Sequence, residues 1–155
     1  MASSDLALVI RPAGEDDVAA LASLATHLGY PTSETQMRAR MQRIGADANY
    51  ATLLAETDGR VIGYAGMTWK WSYVDDQPRG ELLSLVVHPA ARGQGAGAAL
   101  MAAAEAWMRE HGAGSVHLTT ALHRDRAHAF YERIGYARTG FRYVKKFGGD
   151  SKSGS

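Results

Sequence analysis

No cysteine occurs in the 155 residues, which excludes disulfides, thiolate metal sites and a cysteine nucleophile, and removes any redox clue to compartment. Long apolar runs are missing as well. The N-terminal "LALVI" is far shorter than a signal-peptide core, and no stretch approaches the ~20 residues of a membrane span, so no membrane partner and a cytoplasmic location are expected. The six histidines show no H-E-x-x-H or comparable ligand spacing, so no metal is expected. No internal repeat or linker divides the chain, and its length suits one domain over residues 1–147 with a flexible polar tail at 148–155.

The net charge of +1 conceals an asymmetry. Residues 1–87 carry 11 acids and 7 bases, whereas residues 121–147 carry 7 bases against Asp125 and Glu132. One end favours a cationic ligand and the other an anionic one. The basic excess lacks a recognition motif, so nucleic acid is not expected as a partner.

Periodicity and turn chemistry predict the order βααβββαβαβ. A strand at "LALVIR" precedes a helix whose acids sit at its positive end, and Ser33 with Gln36 opens a second helix as a capping box. Asp58-Gly59 marks a hairpin between "YATLLAET" and "RVIGYAGMTWKW", and a turn at 75–78 leads to "GELLSLVV". The alanine-rich stretch to Gly112 is the longest helix. "SVHLTTAL" then reads as a strand, "RDRAHAFYERIG" as a helix, and "YARTGFRYVKKF" as a final strand or hairpin. The strand, helix, strand unit in the second half implies parallel pairing there, giving an α/β (α+β) fold with a mixed central sheet flanked by helices.

The densest signal is "HPAARGQGAGA". Gly93, Gly95 and Ala98 match a dinucleotide fingerprint in the literal sense, but five residues separate the strand from the glycines and the next strand lacks an acid for a ribose. No Gly-Lys-Ser/Thr follows, which excludes a nucleotide triphosphate loop. What remains is a run of backbone N–H groups bared by Gly93, Gly95 and Gly97 just before a helix start, with Arg92 in front: a cradle for an anionic phosphate group.

Arg92-x-x-Gly95-x-Gly97 after an apolar strand, followed some thirty residues later by "AHAFYERIGY", resembles the GCN5-related N-acetyltransferase (GNAT) superfamily from about residue 7 to 147. The resemblance implies acetyl-CoA as cofactor. Its pyrophosphate would lie on the segment Arg92, Gly93, Gln94, Gly95, Ala96, Gly97, Ala98, and its pantetheine arm along the strand Leu85, Val86, Val87. That strand is expected to splay from its parallel neighbour so that the arm pairs with it, and the Val87 amide is the expected oxyanion donor. Tyr131 matches the family's tyrosine acid. Its ordinary pKa near 10 exceeds that of a thiol near 8.5, so it starts protonated and can protonate the departing thiolate.

Glu81 lies four residues before Leu85, the spacing at which histone-type members place their glutamate base, and on a regular strand Glu81, Leu85 and Val87 face the same way. Arg124 stands where many members have a cofactor-contacting asparagine. Trp69, Trp71 and Tyr73 alternate along one strand beside that of Glu81, and Asp75 and Asp76 follow; together they suggest an acidic, aromatic acceptor wall.

The expected function is therefore N-acetylation of a primary amine on a small molecule by direct attack in a ternary complex. An aminoglycoside-like polyamine fits chemically, and antibiotic resistance would follow from it. A protein lysine or N-terminal acetyltransferase and a non-catalytic acyl-CoA-binding module are the alternatives. Homodimers are frequent in the family.

Overall fold

The computed structural model describes residues 7–120 and 124–148, and the chain divides into two compact units, residues 1–118 and 119–155. In the first unit β1 (Leu8–Pro12) leads through a short helical turn (Glu15–Asp17) into α1 (Val18–Leu28) and α2 (Glu34–Gly45). β2 (Tyr50–Thr57), β3 (Arg60–Lys70) and β4 (Arg79–Val87) follow, then a helical turn (Pro89–Ala91), α3 (Ala96–Glu110) and β5 (Ser115–His117). The sheet order is β1-β2-β3-β4-β5, antiparallel except for the parallel β4–β5 pair.

Local chemistry explains the boundaries. Ser33 Oγ accepts from the Gln36 N–H (3.1 Å) while Gln36 Oε1 accepts from the Ser33 N–H (2.9 Å), the reciprocal capping box that starts α2. Asp58 and Gly59 both adopt positive φ (50° and 73°), the geometry that matches a two-residue hairpin to the twist of its strands. Asp17 ends the first helical turn. Its carboxylate accepts from both Arg11 terminal nitrogens (2.9 Å each) and from the Gly14 N–H (2.7 Å), tying β1 to the start of α1.

The sheet is covered on both faces. Val18, Leu21, Leu24 and Met37 of α1 and α2 pack with Leu54, Tyr64 and Val86 on one face. On the other, α3 buries Leu100, Met101, Ala104 and Met108, with Leu100 close to Gly63 and Met108 against Gly80. The small side chain of Ala104 on this buried face lets the helix lie close to the strands.

Three expectations change. β5 pairs with β4 only from Arg79↔Ser115 to Glu81↔His117, so the strand expected over 115–122 ends at His117; residues 121–122 lie outside the described residues. The helix expected from Ala98 begins at Ala96, which takes Gly97 into its first turn. In the second unit α4 (Asp125–Arg133) forms as expected, but residues 136–147 form no strand. A strand requires a neighbour to complete its ladder, and among the described residues no strand pairs with this segment. Residues 149–155, most of the expected tail, lie outside the described residues.

Candidate functional site

The site begins at the far edge of β4. His88 N–H donates to the Ile62 carbonyl at 2.7 Å, and the ladder runs without interruption from Gly63↔Val87 to Gly66↔Ser84. Antiparallel pairs alternate, so the peptide groups of Val86 also face β3 whereas those of Val87 and Leu85 face away from it. On that side β5 no longer pairs: the parallel ladder stops six residues before the end of β4. Among the described residues, the strand thus presents unpaired backbone donors and acceptors on one edge, at Leu85 and Val87.

The edge runs directly into the cradle. Gly93 and Gly95 both have φ of 85°, and a Cβ added at either would meet no protein atom within 4 Å. Glycine is therefore demanded by backbone conformation, not by packing, and the space in front of the loop is open. Gly95 is the N-cap of α3 with no side-chain cap, and among the described residues no backbone carbonyl accepts from the N–H groups of Gly93 to Ala98. Such N–H groups at the positive end of a fifteen-residue helix favour a negative charge, and Arg92 is exposed beside them. A diphosphate on this cradle and an amide-bearing arm on the β4 edge fit the groups present. The arm would run away from the cradle, meeting Val87 before Leu85. The Val87 amide, the expected oxyanion donor, and the Leu85 amide both lie on this edge.

Glu81 does not share a face with these residues, contrary to the regular alternation expected. Met67 pairs with Leu82 and Gly66 with Ser84, so Leu83 is an extra residue in β4, a β-bulge. Directly opposed residues share a face. Leu85 and Val87 therefore lie with Ala65 and Gly63 on the α3 side, whereas Glu81 lies with Thr68 on the α1/α2 side. Ser84 is on the Glu81 side too, and its hydroxyl donates to Tyr64 Oη at 2.9 Å. Burial pushes the Tyr64 hydroxyl pKa up.

The aromatic row is likewise redistributed. β3 ends at Lys70, so only Trp69 is in the strand, on the α3 face, where its ring stacks with His111 at 6.1 Å and meets Trp71 edge-on at 5.6 Å. Trp69 and Trp71 are thus set at the C-terminal end of α3, across the sheet from Glu81, and Tyr73 is exposed beyond the strand. The expected row of three aromatics along one face of one strand does not form, because Trp71 and Tyr73 lie beyond the end of β3. Asp75, Asp76, Gln77 and Pro78 with Gly114 and Ser115 line a shallow depression of about 380 Å³ at the start of β4. Asp75 is neutralised by Arg79 (2.7 Å) and Glu81 by Lys70 (2.6 Å). Lys70 is the residue that sequence reasoning missed, because only the register shows that a cation two positions diagonal to Glu81 reaches it.

In the second unit Tyr131 lies within α4, its ring edge-on to Phe130 (5.3 Å) and Tyr136 (5.9 Å). Burial raises the pKa of its hydroxyl, partly offset by the Arg124 cation. The group is a proton donor across the neutral range. Arg124, at the family's asparagine position, therefore bears electrostatically on Tyr131.

The Acetyltransferase (GNAT) family model matches residues 16–136. Aminoglycoside N(6')-acetyltransferase type 1 of Stenotrophomonas maltophilia is 33% identical over 134 residues, 84% of this chain and 86% of that protein. Aminoalkylphosphonate N-acetyltransferase of Salmonella typhimurium is 37% identical over 99 residues, 64% of each. Among solved structures, an aminoglycoside N-acetyltransferase in complex with CoA superposes with a TM-score of 0.85 at 20% identity, covering 95% of this chain and 99% of that one.

Proposed function

Because this chain belongs to the GNAT acetyltransferase family, we propose that it transfers the acetyl group of acetyl-CoA to a primary amine of a small molecule. The observation that carries the reading is the continuity of two unsatisfied backbone surfaces: the β4 edge at Leu85 and Val87, and the N–H cradle from Gly93 to Ala98. Acetyl-CoA, when bound, supplies an activated thioester.

The chain's own groups do the rest. Backbone N–H groups of Gln94, Gly95, Ala96 and Gly97 bind the diphosphate, with Arg92 adding a charge-assisted contact. The edge peptides of Leu85 and Val87 orient the arm as an added strand would, those of Val86 being turned to β3, and the Leu85 N–H stands ready to donate to a carbonyl oxygen that gains charge. Glu81 accepts the proton of the acceptor ammonium, directly or through water, and Tyr131 donates to the sulfur. With no cysteine in the chain, the amine attacks directly.

An aminoglycoside acceptor, and with it antibiotic resistance, is supported by the 33% identity to the Stenotrophomonas enzyme. A single domain is supported by a family match that runs through residues 16–136. The test is calorimetric titration with acetyl-CoA followed by thiol release against a panel of amines. Binding together with amine-dependent thiol release is expected. Binding without release from any amine, peptide amines included, would leave only an acyl-CoA-binding module, and no binding would end the reading.

A further inference from the structure

The charges around Glu81 bear on which amine is accepted. Lys70 and Arg79 stand directly opposite each other in the β3–β4 ladder, a like-charge pair that is unfavourable alone. Each is met by a carboxylate: Lys70 Nζ lies 2.6 Å from Glu81 Oε1, and Arg79 Nε lies 2.7 Å from Asp75 Oδ2. Charges of opposite sign therefore alternate over the end of the two strands, on the face that carries Glu81. Two of the three acids here, Glu81 and Asp75, are thus matched by cations and, among the described residues, Asp76 is not, so the surface is less negative than a count of its acids implies. Glu81 is also the last β4 residue paired with β5, so the charged group adjoins the point where the open edge begins.

We infer that Lys70 and Glu81 together form a two-pole acceptor site for a zwitterionic primary amine, one bearing a phosphonate, phosphate or carboxylate a few bonds from its amino group. This rests on the amine acetyltransferase reading above and narrows it, away from a polycationic acceptor such as an aminoglycoside. The ammonium takes the place of Lys70 on Glu81, and the anionic group takes the place of Glu81 on Lys70, with Arg79 as a second positive neighbour. The Lys70 side chain is 62% exposed and that of Glu81 31%, so the closed pair is weakly held and opens readily to a ligand. A zwitterion exchanges one ion pair for two. A diamine exchanges one for one, leaves Lys70 without its anion, and sets its second cation beside Lys70 and Arg79. Lys70 is thus a specificity-determining residue.

The experiment compares thiol release by the full chain with acetyl-CoA and four short amines of matched length: 2-aminoethylphosphonate, β-alanine, ethylenediamine and ethylamine. The two zwitterions should exceed the other two in kcat/KM by about tenfold, the order of one charge-assisted contact, with the difference carried in KM. Lys70→Arg should keep the ranking, Lys70→Gln should flatten it and Lys70→Glu should reverse it toward ethylenediamine. Equal or better use of ethylenediamine by the unmodified protein overturns the inference while leaving amine acetylation intact, as does an unchanged ranking in Lys70→Glu and Lys70→Gln. Failure to acetylate any amine despite acetyl-CoA binding overturns the underlying reading instead.

Discussion

Glu81 and Leu85 point to opposite faces of the sheet although four residues separate them on one strand, because Leu83 is an extra residue between the paired positions Leu82 and Ser84. The bulge lets one strand serve two purposes. Its C-terminal half offers an edge for an extended ligand, and its N-terminal half presents a carboxylate on the α1/α2 side.

Glu81→Gln removes a proton acceptor while keeping shape. If Glu81 takes the acceptor's proton, the loss of kcat/KM should be about 10²-fold or more and deepest at low pH, where the amine is most fully protonated. A pH–rate profile of the variant parallel to that of the unmodified protein would remove Glu81 from proton transfer.

Tyr131→Phe should lower kcat by about 10²–10⁴-fold, the range for loss of a general acid, with acetyl-CoA affinity nearly unchanged by calorimetry. The sign of its pH dependence follows from burial. The hydroxyl pKa is raised, so the donor form persists through the ordinary tyrosine value and is lost only as pH rises through the higher one. A fall in rate at pH 8–9 that vanishes in Tyr131→Phe would contradict this assignment.

Gly93→Ala and Gly95→Ala each force a side chain into φ of 85°, at a cost of about 1–2 kcal/mol. The added methyl meets no protein atom but stands in the cradle. Acetyl-CoA affinity should therefore fall far more than the stability change predicts, by about tenfold or more for a lost charge-assisted contact. Thermal unfolding and calorimetry on the same variants separate the two effects. Affinity that tracks stability alone would argue against a ligand at this loop.

Asp17→Asn should destabilise the fold by about 1–3 kcal/mol at neutral pH, since the carboxylate is buried and bound by Arg11 and the Gly14 N–H. Its pKa is held below the ordinary carboxylate value, chiefly by the Arg11 hydrogen bonds. The group's contribution is therefore present above the unfolded pKa near 3.8 and lost as pH falls through the lower folded value. Denaturant unfolding of both proteins should show the gap between them closing below pH 4.

Much of the fold was legible because its signals are local. The Ser33–Gln36 capping box, the Asp58-Gly59 turn and the glycines before α3 each state a backbone conformation within a few residues, and each forms as expected. The backbone conformation of the candidate site was legible for the same reason. Its side-chain part was not: placing Trp69, Trp71 and Tyr73 beside Glu81 assumed regular strands, and β3 stops at Lys70 while β4 bulges at Leu83.

By itself, then, the amino-acid order determined the element sequence through β5 and α4, the glycine loop before α3 and the absence of a cysteine route. Tertiary pairing alone decided where β5 leaves β4, which face Glu81 occupies, and that Lys70 meets it. The physical reason is the period of two along a strand. One unpaired residue reverses every side chain beyond it, and which residue goes unpaired is settled by the neighbouring strand, sixteen positions away in the chain at Met67 opposite its partners.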